Sequence, residues 1–171
     1  MQAELIALRV LHIFTGVFWA GGVFYIAFFV FPAVNSLGAD GSKFMQQLTR
    51  TRNMPTLMSV AGITNVIVGL RIMQIMSGNF QLAWFQSNHG IAISVGALTA
   101  IGALTIGLFL NRPRANRIAA IGAAIAASGG TPTPEQIQEL GKLKKKLETG
   151  VKVMAWHLLV TVLLMSCARY L

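Results

Sequence analysis

Apolar positions gather in four long blocks along the chain, near residues 5–33, 55–77, 88–110 and 151–170, with shorter polar stretches between them. Each block approaches or exceeds the ~20 residues that an α-helix needs to cross a bilayer. The pattern predicts an all-α fold: an integral membrane four-helix bundle, one transmembrane domain over residues 1–171. The first block, LIALRVLHIFTGVFWAGGVFYIAFFVFPAV, stops before Asn35-Ser36-Leu37-Gly38. The stretch after it, with Asp40, Gly41 and then KFMQQLTRTR, reads as a short amphipathic helix in the membrane interface. Pro55 suits the first helical position of span two, where the missing N–H costs nothing. Span two ends at MSGN, and the uncharged link QLAWFQS brings Trp84 and Phe85 to the level of an interfacial aromatic belt.

The connection from Asn111 to about Gly150 has a periodicity of its own. Ile118, Ile121 and Ile125 recur at helical spacing after Pro113, and Ile137, Leu140, Leu143 and Leu147 do so after Gly129-Gly130. Thr133-Pro134-Glu135-Gln136 has the form of a capping box with proline at the first helical position. These signals predict a cytoplasmic helical hairpin extension, about 114–147, between spans three and four, its second arm running on into span four. The Lys-rich face of that hairpin is expected to meet solvent and anionic lipid head groups.

Composition sharpens this picture. The chain is 54% apolar and 11% charged, against roughly 25% charged in ordinary soluble domains, which excludes a soluble globular protein. Its net charge of +9 is unevenly placed. Eleven of the 14 basic residues (Lys43, Arg50, Arg52, Arg112, Arg114, Arg117, Lys142, Lys144, Lys145, Lys146 and Lys152) flank the two loops on one side, leaving Arg9, Arg71 and Arg169 for the other. Lys and Arg near span ends are retained in the cytoplasm. The expected location is therefore a bacterial-type inner membrane, multi-pass, with both basic loops inside and both termini outside. No basic groove interleaved with aromatics supports nucleic acid as a partner. Residues 1–35 read as a true span, because no basic residue precedes Arg9 and the apolar run is too long for a cleaved leader. The single cysteine, Cys167, excludes an intrachain disulfide, a CxxCH haem attachment and thiolate metal clusters.

Candidate chemistry rests on three histidines, His12, His89 and His157, each in or at the edge of a different span. Ionisable groups inside a bilayer are costly and face the bundle interior, so each counts as a functional candidate. His12 shares a helical face with Thr15, Gly16, Trp19 and Gly22, and His89 shares one with Gly96, Ala100, Ala103 and Gly107. Small residues on such faces mark helix–helix contact. At ~1.5 Å per residue, His12 lies roughly 10 Å below the outer surface and His89 at a similar or shallower level, while His157 lies roughly 20 Å down. His12 and His89 form the natural pair, with Arg9 and Arg71 in the same outer third. Two imidazoles at one depth, with guanidinium groups toward the wet edge for the propionates, suit a b-type haem. Gly16, Gly21, Gly22 and Gly96 are candidates to leave room for the macrocycle. The competing reading of each histidine is a hydrogen-bonded interior residue, favoured for His157, and Arg71 can equally snorkel outward.

A metal alternative rests on methionines. Met54 with Met58, and Met73 with Met76, are spaced to share a helix face, and thioether plus imidazole suits Cu(I). Met76 falls near the outer mouth, although methionine is also a common gap-filler. No embedded carboxylate pair, phosphate-cradling loop or GxSxG is present, and all five acids lie outside or at the edge of the apolar cores.

The segment LHIFTGVFWAGGVFY resembles the first helix of the HemJ-type protoporphyrinogen oxidases and the related CopD-like small membrane proteins. TRNMPTLMSVAGITNVIVGLRIM is similar to their second span, and WFQSNHG to the entrance of the third, so the resemblance covers about the first 110 residues. It implies that His12 matches the group's haem-associated histidine, while His89 stands where the HemJ group carries a functional lysine. The arginine of the first HemJ helix is replaced by IAFFVF. The resemblance thus implies haem binding more directly than porphyrinogen oxidation.

Together these readings predict a protein holding one b-type haem through His12 and His89, with Arg9, Arg71, Gly16 and Trp19 around it, engaged in one-electron transfer or redox sensing. The alternatives are CopD-like copper handling, a porphyrinogen oxidase in haem synthesis, and a cofactor-free structural or assembly subunit using the basic hairpin. Partners compatible with these readings are the bilayer, a redox partner or larger membrane complex, and further copies of the chain.

Overall fold

The computed structural model describes residues 2–171. The helices are α1 (Gln2–Ser36), α2 (Gly38–Gln46), α3 (Met54–Met76), the short α4 (Leu82–Phe85), α5 (Asn88–Ala127) and α6 (Pro134–Cys167), with no strand among the described residues. By length and composition α1, α3, α5 and α6 are each able to cross a membrane. They alternate in direction. The start of α1 meets the end of α3 through Arg71 and Glu4, and the start of α5 meets the end of α6 through His89 and Ala168. Both ends of the chain therefore share one end of the bundle, called here the terminal end; the Lys-rich loops form the basic end.

Two prolines explain where the helices depart from the sequence pattern. A proline inside a helix loses a hydrogen bond, and its ring crowds the carbonyl four residues back. Ahead of Pro32 the helix widens into a single π-turn, Ile26–Val30, and ahead of Pro113 into another, Ile106–Asn111. These turns relieve the crowding, and helix continues past both prolines. The break expected near residue 110 is therefore absent: α5 carries span three and the first arm of the hairpin as one rod to Ala127. The amphipathic segment is helical, as expected, and closes in a third π-turn, Gln47–Thr51. Asn53, at φ 52°, then turns the chain into α3.

The second arm opens with the capping box read from the sequence. The Thr133 hydroxyl accepts from the Gln136 backbone N–H at 3.3 Å, and the Gln136 side chain accepts from the Thr133 N–H at 2.9 Å. Gly129 and Gly130, at φ 93° and 85°, make the reversal between the arms. Arg117 donates to Glu139 across the hairpin at 2.7 Å, and that bond holds the Glu139 carboxyl below the usual carboxylate range.

Packing divides the bundle into two tight pairs, α1 with α3 and α5 with α6, joined along a thinner seam. Lipid is as apolar as leucine, so burial gives little net drive and close approach of small residues carries the association. Gly16 faces Asn65, Gly62 faces Trp19, Gly69 faces His12, and Gly102 faces His157; a Cβ at any of the four would lie 2.7–3.2 Å from that side chain. The pairs meet at Trp19 and Leu158, each 2% exposed, and at the fully enclosed Ala27, Ala103 and Ala155. Phe14, Val17, Phe29, Leu98 and Phe109 point outward, as a lipid-facing surface requires.

Candidate functional site

His12 sits one turn before the buried Thr15 on α1 and is locked to α3 by a reciprocal pair of bonds. Its Nδ1–H donates to the Asn65 carbonyl at 3.0 Å, and Asn65 Nδ2 donates back to the His12 carbonyl at 2.7 Å. Asn65 also reaches the Thr15 hydroxyl at 3.2 Å, and that hydroxyl donates to the Leu11 carbonyl. Gly69 makes the approach possible, since the imidazole lies where its side chain would begin. This clamp fixes both the tautomer and the ring plane. With Nδ1 protonated, Nε2 is left as the lone-pair nitrogen, the arrangement seen in metal-ligating histidines.

Beside this imidazole a cavity of about 500 Å³ opens between the helix pairs in the terminal half of the bundle. Arg9, His12, Gly16 and Trp19 line it from α1, and Asn65, Gly69, Met73 and Met76 from α3. Trp84 comes from the link between α3 and α5, Ala97 and Ala100 from α5, and Leu158, Thr161 and Met165 from α6. Its volume falls within the roughly 300–1,000 Å³ of small-molecule and cofactor sites. The walls are mostly apolar, and the one full charge among them is Arg9, whose Nη2 lies 3.8 Å from the Met76 sulfur. Trp19 closes the inner end; on its far side lies a smaller cavity of about 120 Å³, lined by Met54 and Met58 among others.

The structure thus brings Arg9, His12, Gly16, Trp19 and Met76 to one cavity. Three other expected residues stand apart. His89 is not among the lining residues: its Nδ1 donates to the Ala168 carbonyl at 2.7 Å, and its ring meets the edge of Trp84, 5.8 Å between centroids. Trp84 thus touches His89 and also lines the cavity. Arg71 turns to the surface, donating to Glu4 at 2.6 Å and to Gln74 at 3.0 Å. His157 returns its Nδ1 to the Val153 carbonyl of its own helix at 2.9 Å and packs on Gly102. Of the four glycines expected to leave room for a macrocycle, only Gly16 lines the cavity. Gly22 faces Met58, Gly96 faces Met165, and Gly21 faces open space.

Asn65 and Gly69 are among the lining residues that sequence reasoning did not assign to the site. An asparagine in the middle of an apolar span was the available signal, because an embedded amide needs partners. Among the described residues no three His, Cys, Asp or Glu side chains converge as a metal site. A metal here would be held by an imidazole with thioethers, or would arrive with the nitrogens of its own macrocycle. No family model, curated protein or solved structure matches the chain.

Proposed function

We propose that this chain is a membrane b-type haem protein that carries single electrons or senses redox state, with the haem in the cavity between the helix pairs. The observation that carries the reading is His12: it lines an apolar cavity of about 500 Å³ with Nδ1 already committed to the Asn65 carbonyl, leaving Nε2 to ligate. Arg9 at the mouth supplies a cation for a propionate, and Gly16 gives the wall a flat stretch. Haem would supply the one-electron chemistry, tuned by the axial ligands and the dryness of the walls. Met76 lines the same cavity and would offer a thioether as a second ligand, whereas His89 is not among the lining residues and packs on Trp84. The resemblance of the first 110 residues to the HemJ and CopD-like groups points the same way. The basic loops at one end argue for an inner-membrane protein with that end in the cytoplasm.

The test is a reduced-minus-oxidised absorption spectrum of the full chain, purified in detergent after haem supplementation. A Soret and α-band present in the parent and absent in His12→Ala is the expected result. A parent without those bands, or a His12→Ala variant that keeps them unchanged, refutes the reading. Met76→Ala and His89→Ala, each expected to shift the bands only if that residue is the second ligand, assign the opposite face.

One observation favours a second reading, a Cu(I) site: Met73, Met76 and His12 share this cavity, and soft thioethers with an imidazole select Cu(I). Competition with a Cu(I) chelator separates the two, since copper bound stoichiometrically to haem-free protein and lost in Met73→Leu with Met76→Leu supports this alternative.

A further inference from the structure

A second large cavity, of about 430 Å³, opens at the basic end between α2 and the two arms of the hairpin. It lies beside the last turns of α1, at Phe31 and Val34, at the basic end of the bundle. Its inner walls are apolar, formed by Phe31, Ile118, Leu140 and Leu147. It also shares Phe31, Met45 and Leu147 with the 120 Å³ cavity beneath Trp19, so its apolar lining leads on toward the core of the bundle.

The rim has the opposite character. Arg50, from the π-turn that closes α2, donates to the Ala119 carbonyl on α5, and Lys144 on α6 donates to the Ser42 hydroxyl on α2 at 3.3 Å. Two cations thus reach across the opening from different helices, each held by a neutral partner. Neither has a carboxylate partner among the described residues, in contrast to Lys43, Arg71, Arg117 and Lys152, which are paired with Asp40, Glu4, Glu139 and Glu148. Glu148, the acid on the cavity wall, is engaged by Lys152 at 2.8 Å and by Asn35 at 3.1 Å. The rim therefore carries uncompensated positive charge above an apolar interior.

We propose that this cavity is a binding site for one anionic phospholipid, its phosphate between Arg50 and Lys144 and part of an acyl chain against Phe31, Ile118, Leu140 and Leu147. The ligand must be both anionic and chain-bearing, because a free phosphate leaves the apolar walls unfilled and a neutral or zwitterionic lipid leaves the two cations unmatched. Such a lipid would tie α2 to the hairpin at the point where the cytoplasmic arms leave the membrane.

Native mass spectrometry of the delipidated full chain tests this with three probes: phosphatidylglycerol, phosphatidylcholine and glycerol phosphate. The expected result is one phosphatidylglycerol per chain, bound at least tenfold more tightly than phosphatidylcholine, with no retention of glycerol phosphate. Arg50→Gln with Lys144→Gln should weaken phosphatidylglycerol by roughly 10- to 30-fold, while Lys142→Gln with Lys145→Gln, outside the cavity, should leave it unchanged. Gly122→Leu gives an arm that does not depend on charge: Gly122 lines the cavity and has nothing within 4 Å of its Cβ position, so a side chain can start there, and leucine should occupy the cavity and block the lipid. Equal binding of phosphatidylcholine, retention of glycerol phosphate, or equal losses in the two charge-removal variants would each overturn the assignment.

Discussion

At the scale of single residues, Asn65 does more than its size suggests, since its amide and carbonyl together hold His12 and Thr15 of the neighbouring span. Hydrogen bonds between membrane helices are worth about 0.6 kcal/mol on average and up to about 1.7. Asn65→Leu removes the two amide bonds and keeps the shape, so a loss of about 1–3 kcal/mol is expected in SDS-titration unfolding, with the haem bands weakened as well. Gly69→Ala probes the site more locally. The new methyl would lie 2.7 Å from His12 Cε1, so the imidazole must shift, and a displaced Soret band is expected beside an unchanged one in Gly21→Ala, which faces open space. The histidines are legible in the sequence because ionisable side chains stand out in an apolar run. Their partners are not: His12, His89 and His157 all bond to backbone carbonyls, a group every residue carries, so no residue type announces them. Arg71 illustrates the same limit, for its helical phase is compatible with either direction and the deciding partner, Glu4, lies on another helix.

At the scale of elements, the hydropathy pattern locates all four spans, and the capping box fixes the start of α6 to the residue. What it does not show is that one helix carries span three on into the hairpin, because proline reads as a stop when only the usual helix geometry is considered. A π-turn lets the rod continue through Pro113, a response that residue type alone does not announce. The hairpin is the element least supported by the bundle, so its local bonds should be measurable. Thr133→Ala removes the cap at a cost of about 1 kcal/mol, expected as faster amide exchange over 134–140 with spans three and four unaffected. The Arg117–Glu139 bond gives the arms a pH dependence with a definite sign. Glu139 is held below the usual carboxylate range when folded, so its contribution is complete above the ordinary carboxylate pKa and disappears as pH falls through the lowered value. Protection factors in the hairpin, corrected for the intrinsic pH dependence of amide exchange, should therefore fall at acid pH in the parent and fall less in Glu139→Gln.

At the scale of the whole molecule, the pairing of α1 with α3 and α5 with α6 leaves a seam, and the cavities on either side of Trp19 lie along it. Sequence alone does not show this, because apolar periodicity marks a buried face without saying which neighbour covers it. Trp19 is the partition: it borders both the 500 Å³ cavity beside His12 and the 120 Å³ cavity beyond, and it is 2% exposed. Its replacement by alanine in a soluble core would lose both transfer energy and packing. In lipid the transfer share largely vanishes, since the unfolded reference is also apolar, and the cavity share remains. At about 24 cal/mol per Å³, a new void on the order of 100 Å³ costs about 2–3 kcal/mol. Trp19→Ala should therefore destabilise the bundle by about that amount in SDS titration, and Trp19→Phe by less. Leu98→Ala, a substitution of an outward-facing side chain 68% exposed, should change stability little. If instead Leu98→Ala proved as costly as Trp19→Ala, the seam would not be where the two pairs are joined, and a haem pocket placed between them would lose its structural basis.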